Sequence, residues 1–313
     1  MEPRPPPAAP KVPETAIVLA VALAAAAALA TVAVTGFGAT AADWRGLTAA
    51  AAVILFSGLA VLAGAPRGWR WVGATVCAHL GLHPWLAAAA AQQPATVFAM
   101  AVVALTLWVA FAVLGRHSLR GWTAALLLGL PIGLSALLRP DLLALTLPLG
   151  ALALWLAESP RPVLAAFAAK AAAASLAGLA LRAQFPELEA VWGHPNAFAA
   201  FAVFLQVNAV AVTAGLSALA LLGKRGGRPA ALLFGPLLIF AGFTLWGAPR
   251  LEGAQALNQA LTLLPLPAVA FGVLLARALD ALPAIRPADD LGKTAALILG
   301  LVFVLHLLAL DSS

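Results

Sequence analysis

The residues able to act on a substrate are few in this chain and stand between long apolar runs. Glu187 and Glu189, two apart in Phe185-Pro186-Glu187-Leu188-Glu189, precede Trp192-Gly193-His194-Pro195-Asn196, so two carboxylates, an imidazole and an amide fall close together. Such a set suits the hydroxyls of a polar substrate delivered on a lipid, and it equally suits a charged loop at any membrane edge. Arg139 and Asp141 flank Pro140, either to offer a guanidinium to an anion or as a mutually satisfied pair at a helix turn. Asp43, Arg250 and Glu252 are further polar groups of the same kind of connection.

Other polar positions lie within the apolar runs, where each has a ligand reading and a plainer one. His79 and His83 have the i, i+4 spacing that places two imidazoles on one helix face, but no Glu follows His79 as the metal-dependent hydrolase pattern requires. Packing is the plainer account of the pair, with Pro84 breaking the helix beside it and Trp85 anchoring an interface. Lys170, among alanines, either snorkels to headgroups or contacts an anion. Gln206 and Asn208 fit the role of helix-to-helix glue; Asn258 and Gln259 suit glue or ligand. Cys77, the single cysteine, excludes an intramolecular disulfide and any site built from several thiolates. No cofactor is expected, and a divalent metal stays compatible with the carboxylates.

The elements that must position these residues are membrane helices. With 63% hydrophobic and 10% charged residues and a mean hydropathy of +1.00, the chain cannot cover itself with charged side chains. A bilayer core of roughly 30 Å needs about 20 apolar residues per helical pass, and continuous Ala/Leu/Val runs of that length recur without the alternation of a lipid-facing strand. The runs give an all-α, polytopic transmembrane bundle of about eleven helices: 15–38, 46–65, 70–90, 94–115, 121–138, 140–157, 162–182, 197–223, 228–247, 258–280 and 293–310. Residues 1–14 read as a proline-rich, disordered tail without the arrangement of a cleavable signal, and 15–313 as one transmembrane domain with no sizeable soluble part.

Basic residues orient the bundle. Arg4, Lys11, Arg67, Arg70, Arg116, Arg120, Arg161, Lys224, Arg225, Arg228, Arg286 and Lys293 fall in alternate connections, against Arg45, Arg139, Arg182 and Arg250 in the others. Short loops rich in Lys and Arg stay cytoplasmic, so the amino terminus is expected inside and the carboxy terminus outside. Asp43, Arg139, Asp141, Glu187, Glu189, His194, Asn196 and Arg250 then share the outer face. The net charge of +6 is spread along membrane edges and forms no stripe for nucleic acid.

Three stretches in order resemble the GT-C superfamily of integral-membrane glycosyltransferases. Gly129-Leu130-Pro131-Ile132-Gly133-Leu134-Ser135-Ala136-Leu137-Leu138-Arg139-Pro140-Asp141 is similar to its Gly-Leu-X-X-Leu-X-Arg-Pro-Asp/Glu passage. His194-Pro195-Asn196-Ala197-Phe198 is similar to the Pro-Asn stretch of the arabinofuranosyltransferase-like branch, and Asn258 through Leu264-Pro265-Leu266-Pro267 to a late proline-containing helix. The resemblance implies sugar transfer from a polyprenyl-phosphate donor at the outer face of a bacterial cytoplasmic membrane. In that scheme Asp43 is the general base, Arg139 or Arg250 offsets the leaving phosphate, and Asp141, Glu187, Glu189, His194 and Asn196 bind substrate. Against the family pattern, the first outer loop is short, with Asp43 as its one acid, and no Arg precedes Pro265. The alternative is therefore an inactive GT-C-like scaffold or accessory subunit of a larger membrane complex; a transporter would need an internal repeat, and none is evident.

Overall fold

The computed structural model describes residues 13–40, 43–114, 204–222 and 261–281, and among these every regular element is helical. In chain order they are α1 (Glu14–Phe37), α2 (Trp44–Gly64), a single 3-10 turn (Arg70–Val72), α3 (Gly73–Gly81), α4 (Pro84–Gln92), α5 (Pro94–Leu114), α6 (Ala209–Leu222) and α7 (Pro265–Ala281). Two of them, α1 and α2, are long and apolar enough to cross a membrane.

Local sequence explains where these helices stop. The run of α1, built from strong helix formers, ends where Gly38 takes a φ of 69°, a left-handed conformation that spares glycine the Cβ clash. The Ala39 N–H then donates to the Ala33 carbonyl at 3.0 Å. Between α3 and α4 the break falls at Leu82–His83, with Pro84 as the first residue of α4, where its missing N–H removes no helix bond. The stretch 70–90, read from sequence as one pass, thus consists of a turn and two short helices.

One face of α1 is packed and the rest is not. Val18, Ala22, Ala25, Leu29 and Ala33 are buried at intervals of three and four, the spacing of a single helix stripe. Leu19, Leu23, Val32, Val34 and Phe37 point outward, Leu23 with 74% of its surface exposed. The exposed hydroxyls of Thr31, Thr35, Thr48 and Ser217 each donate to the carbonyl four residues back, at 2.8–2.9 Å, so these groups need no water.

Small residues bring the packed faces close. A Cβ on Gly73 would lie 2.6 Å from the Gly58 carbonyl oxygen of α2, and one on Gly81 would lie 2.5 Å from the Ala25 Cβ of α1. Gly46, at the start of α2, meets the Ala90 backbone of α4, and Gly272 of α7 fits against Val61 and Val76. Phe56 of α2 stacks on Trp108 of α5 with centroids 5.5 Å apart.

These contacts fix which helix ends lie together. Val18, near the start of α1, meets Gly58 in the second half of α2 and Gly73 at the start of α3, and Gly64 at the end of α2 meets Phe111 of α5 and Val273 of α7. Ala218 and Leu222 of α6 cluster with Leu274 and Ala278 of α7. One end of the bundle therefore gathers Glu14, Arg67, Arg70, Arg277 and Asp280, and the opposite end carries Asp43 and Arg45.

Candidate functional site

Asp43 sits at the turn between α1 and α2, half-buried, immediately before the first residue of α2. Its Oδ2 accepts from the Thr40 backbone N–H at 2.8 Å and from the Thr40 hydroxyl at 3.1 Å, while the Asp43 N–H donates to the Thr40 carbonyl at 3.0 Å. The carboxylate thus closes the turn reciprocally rather than capping α2, to which it makes no side-chain bond. The next two residues face solvent, with the Arg45 guanidinium 5.7 Å from the centroid of the Trp44 ring.

Arg139, Asp141, Glu187, Glu189, His194, Asn196 and Arg250 lie outside the described residues, as do Lys170, Glu252, Asn258 and Gln259. Of the expected outer-face site, Asp43 alone has a described geometry.

A second polar constellation is internal. His83, at the break between α3 and α4, places Nε2 3.0 Å from the carbonyl oxygen of Val207, in the helical turn that leads into α6. A carbonyl carries no proton, so Nε2 holds the hydrogen and donates. The His79 ring meets that of His83 edge-on, centroids 5.6 Å apart, and both residues are buried. Asn208 follows Val207 and is 1% exposed; its Nδ2 donates to the Phe204 carbonyl at 2.9 Å, a carbonyl that also receives the Asn208 backbone N–H at 3.1 Å. Asn208 Oδ1 has no hydrogen-bond partner among the described residues.

Two helix interruptions, at Leu82–His83 and at Asn208, therefore meet through one hydrogen bond. The arrangement clamps α4 to the segment before α6, and with Nε2 committed to Val207 the His83 ring is a structural donor there. Among the described residues no three His, Cys, Asp or Glu side chains are grouped as a metal would require. Cys77 is buried against α2, its thiol 3.5 Å from the Ile54 carbonyl, in keeping with a packing role. The clamp was half-visible in the sequence: the His spacing and Pro84 are readable, whereas a backbone carbonyl at Val207 has no signature. No family model, curated protein or solved structure matches the chain.

Proposed function

We propose that the chain is a multi-pass integral membrane protein of GT-C-like architecture, with its amino terminus in the cytoplasm and its reactive groups at the outer face. The observation that carries the membrane reading is α1. A helix apolar all round belongs either in a protein core or in lipid, and only 28% of the most apolar stretch of α1 is buried. Lipid is the solvent that suits Leu23 and the back-bonded Thr31 and Thr35. Leu23→Arg tests this: about 3 kcal/mol for a centrally placed Arg would impair insertion of α1 in a glycosylation-reporter assay, whereas unchanged insertion sinks the reading.

On this frame the function proposed is sugar transfer from a polyprenyl-phosphate donor, in a bacterial cytoplasmic membrane, with Asp43 at the outer face. Support comes from the similar Arg139-Pro140-Asp141 passage and from the placing of Asp43 at the bundle end opposite Arg67, Arg70 and Arg277. The Oδ1 oxygen, which makes no hydrogen bond among the described residues, is the atom to meet an acceptor hydroxyl. A scaffold or accessory-subunit reading is favoured by the other oxygen, since Oδ2 is occupied by both donors of Thr40 and explains the acid without catalysis. Asp43→Asn separates the two. Loss of transfer to a lipid-linked acceptor, with the free energy of unfolding lowered by no more than about 1 kcal/mol because the Asn oxygen can keep the Thr40 donors, supports the enzyme; unchanged surface glycans in the variant refute it.

A further inference from the structure

Arg70 and Trp71 are neighbours in sequence, and each carries a buried nitrogen donor that lacks an acceptor among the described residues. Arg70 is half-buried, yet its Nε is sealed from solvent and has no hydrogen-bond partner among the described residues. Trp71, the next residue, is 2% exposed, and its indole N–H is likewise buried and without a partner among the described residues. Neither Arg70 nor the exposed Arg67 makes an ion pair among the described residues, although Glu14 and Asp280 lie at the same end of the bundle. The turn that carries them is fixed from within. Gly68 holds a φ of 90°, the Trp69 N–H donates to the Pro66 carbonyl at 3.1 Å, and the buried Trp69 ring tilts against Trp71 at 6.2 Å.

A guanidinium and an indole N–H are donors only, so what is missing is an acceptor. The positive charge, partly withdrawn from water without a counter-ion among the described residues, favours an anionic acceptor. The planar fork of arginine matches the oxygens of a phosphate in a way a point charge does not. We infer that the Pro66–Trp71 turn is an oxyanion site, in which Arg70, assisted by Arg67 and the Trp71 N–H, takes one phosphate group from a phospholipid headgroup or from free phosphate. The headgroup source rests on the membrane reading above, whereas the free-phosphate source does not. Arg67 and Arg70 then do more than orient the chain: one of them has a resident partner.

The test uses the full chain purified in a mild detergent. Native mass spectrometry with added dioleoylphosphatidylglycerol is compared with dioleoylglycerol, which has the same tails and no phosphate, and thermal unfolding is followed with and without millimolar inorganic phosphate. A headgroup site retains one phosphatidylglycerol and no dioleoylglycerol, with affinity falling about tenfold or more in Arg70→Gln and less in Arg67→Gln. A free-phosphate site shows a phosphate-dependent rise in the unfolding midpoint that Arg70→Gln abolishes, without retained lipid. Trp71→Phe removes the N–H together with the five-membered part of the indole, so its unfolding midpoint without ligand is measured first to separate lost packing from lost binding; a further fall of about threefold in affinity is expected there even if Arg70→Gln fails to fold. Equal retention of dioleoylglycerol, equal loss in Arg67→Gln and Arg70→Gln, or no response to either ligand overturns the site.

Discussion

Replacing Gly73 by alanine sets two opposing effects against each other at one position. Gly73 opens α3 in a right-handed conformation, so alanine gains there at most about 1 kcal/mol, its advantage over glycine in a helix interior. The added methyl, however, would lie 2.6 Å from the Gly58 carbonyl oxygen and 3.3 Å from Val18 Cγ2. The first neighbour is backbone and cannot rotate away, so reaching an ordinary contact of about 3.5 Å requires α2 and α3 to part by roughly 1 Å. A gap of that size forfeits roughly a quarter to a half of each dispersion contact across the interface, and overpacking of this kind costs about 1–3 kcal/mol. The expected net effect is a loss of about 1–2 kcal/mol. Gly36→Ala is the matched control, because nothing lies within 4 Å of a Cβ there; it should be neutral or gain up to about 0.5 kcal/mol. The two variants are compared by denaturant unfolding of the full chain in micelles, read by tryptophan fluorescence, for which Trp69 and Trp71 stand beside the substitution. Equal stability of Gly73→Ala and Gly36→Ala would refute the close approach of α2 and α3.

The clamp at His83 yields two further expectations. His83→Phe fills similar space but removes the donor 3.0 Å from the Val207 carbonyl, and leaving that buried acceptor alone should cost about 1–3 kcal/mol, with amide exchange rising first around Phe204–Val212. Asn208→Leu acts in the opposite sense: it deletes the unpartnered Oδ1, and the Phe204 carbonyl keeps the backbone N–H of residue 208. Unfolding measurements should find it neutral or up to about 1 kcal/mol more stable. A large loss would mean that Oδ1 is engaged.

The sequence carries some of this molecule plainly and some not at all. The spans 15–38 and 46–65 lie within two residues of α1 and α2 at every end, because an uninterrupted apolar run closed by Gly38, or by the Ala65-Pro66-Arg67-Gly68 stretch, has few places to stop. Pro84 marks the helix break for a steric reason visible in one residue. Close approaches at Gly58, Gly73 and Gly81 are less legible, since a glycine signals that room is needed without saying for whom. Asp43 reads correctly as an acid in a short connection, and its Thr40 partner three residues earlier is a spacing open to notice, yet only geometry shows that the carboxylate is tied to the turn. Least legible is the pairing of His83 with Val207, since every residue offers the same carbonyl.

That pairing spans 124 positions of chain. At about 5–20 residues per second, His83 is made roughly 6–25 seconds before its acceptor exists. During synthesis an imidazole donor already committed to an apolar segment must be served by something else: a water carried in with it, or a helper protein that holds α3 and α4 until the segment before α6 arrives. The clamp is thus a timing problem for the ribosome as much as a joint in the finished bundle, and His83→Phe, though costly once folded, leaves no donor to be served during that wait.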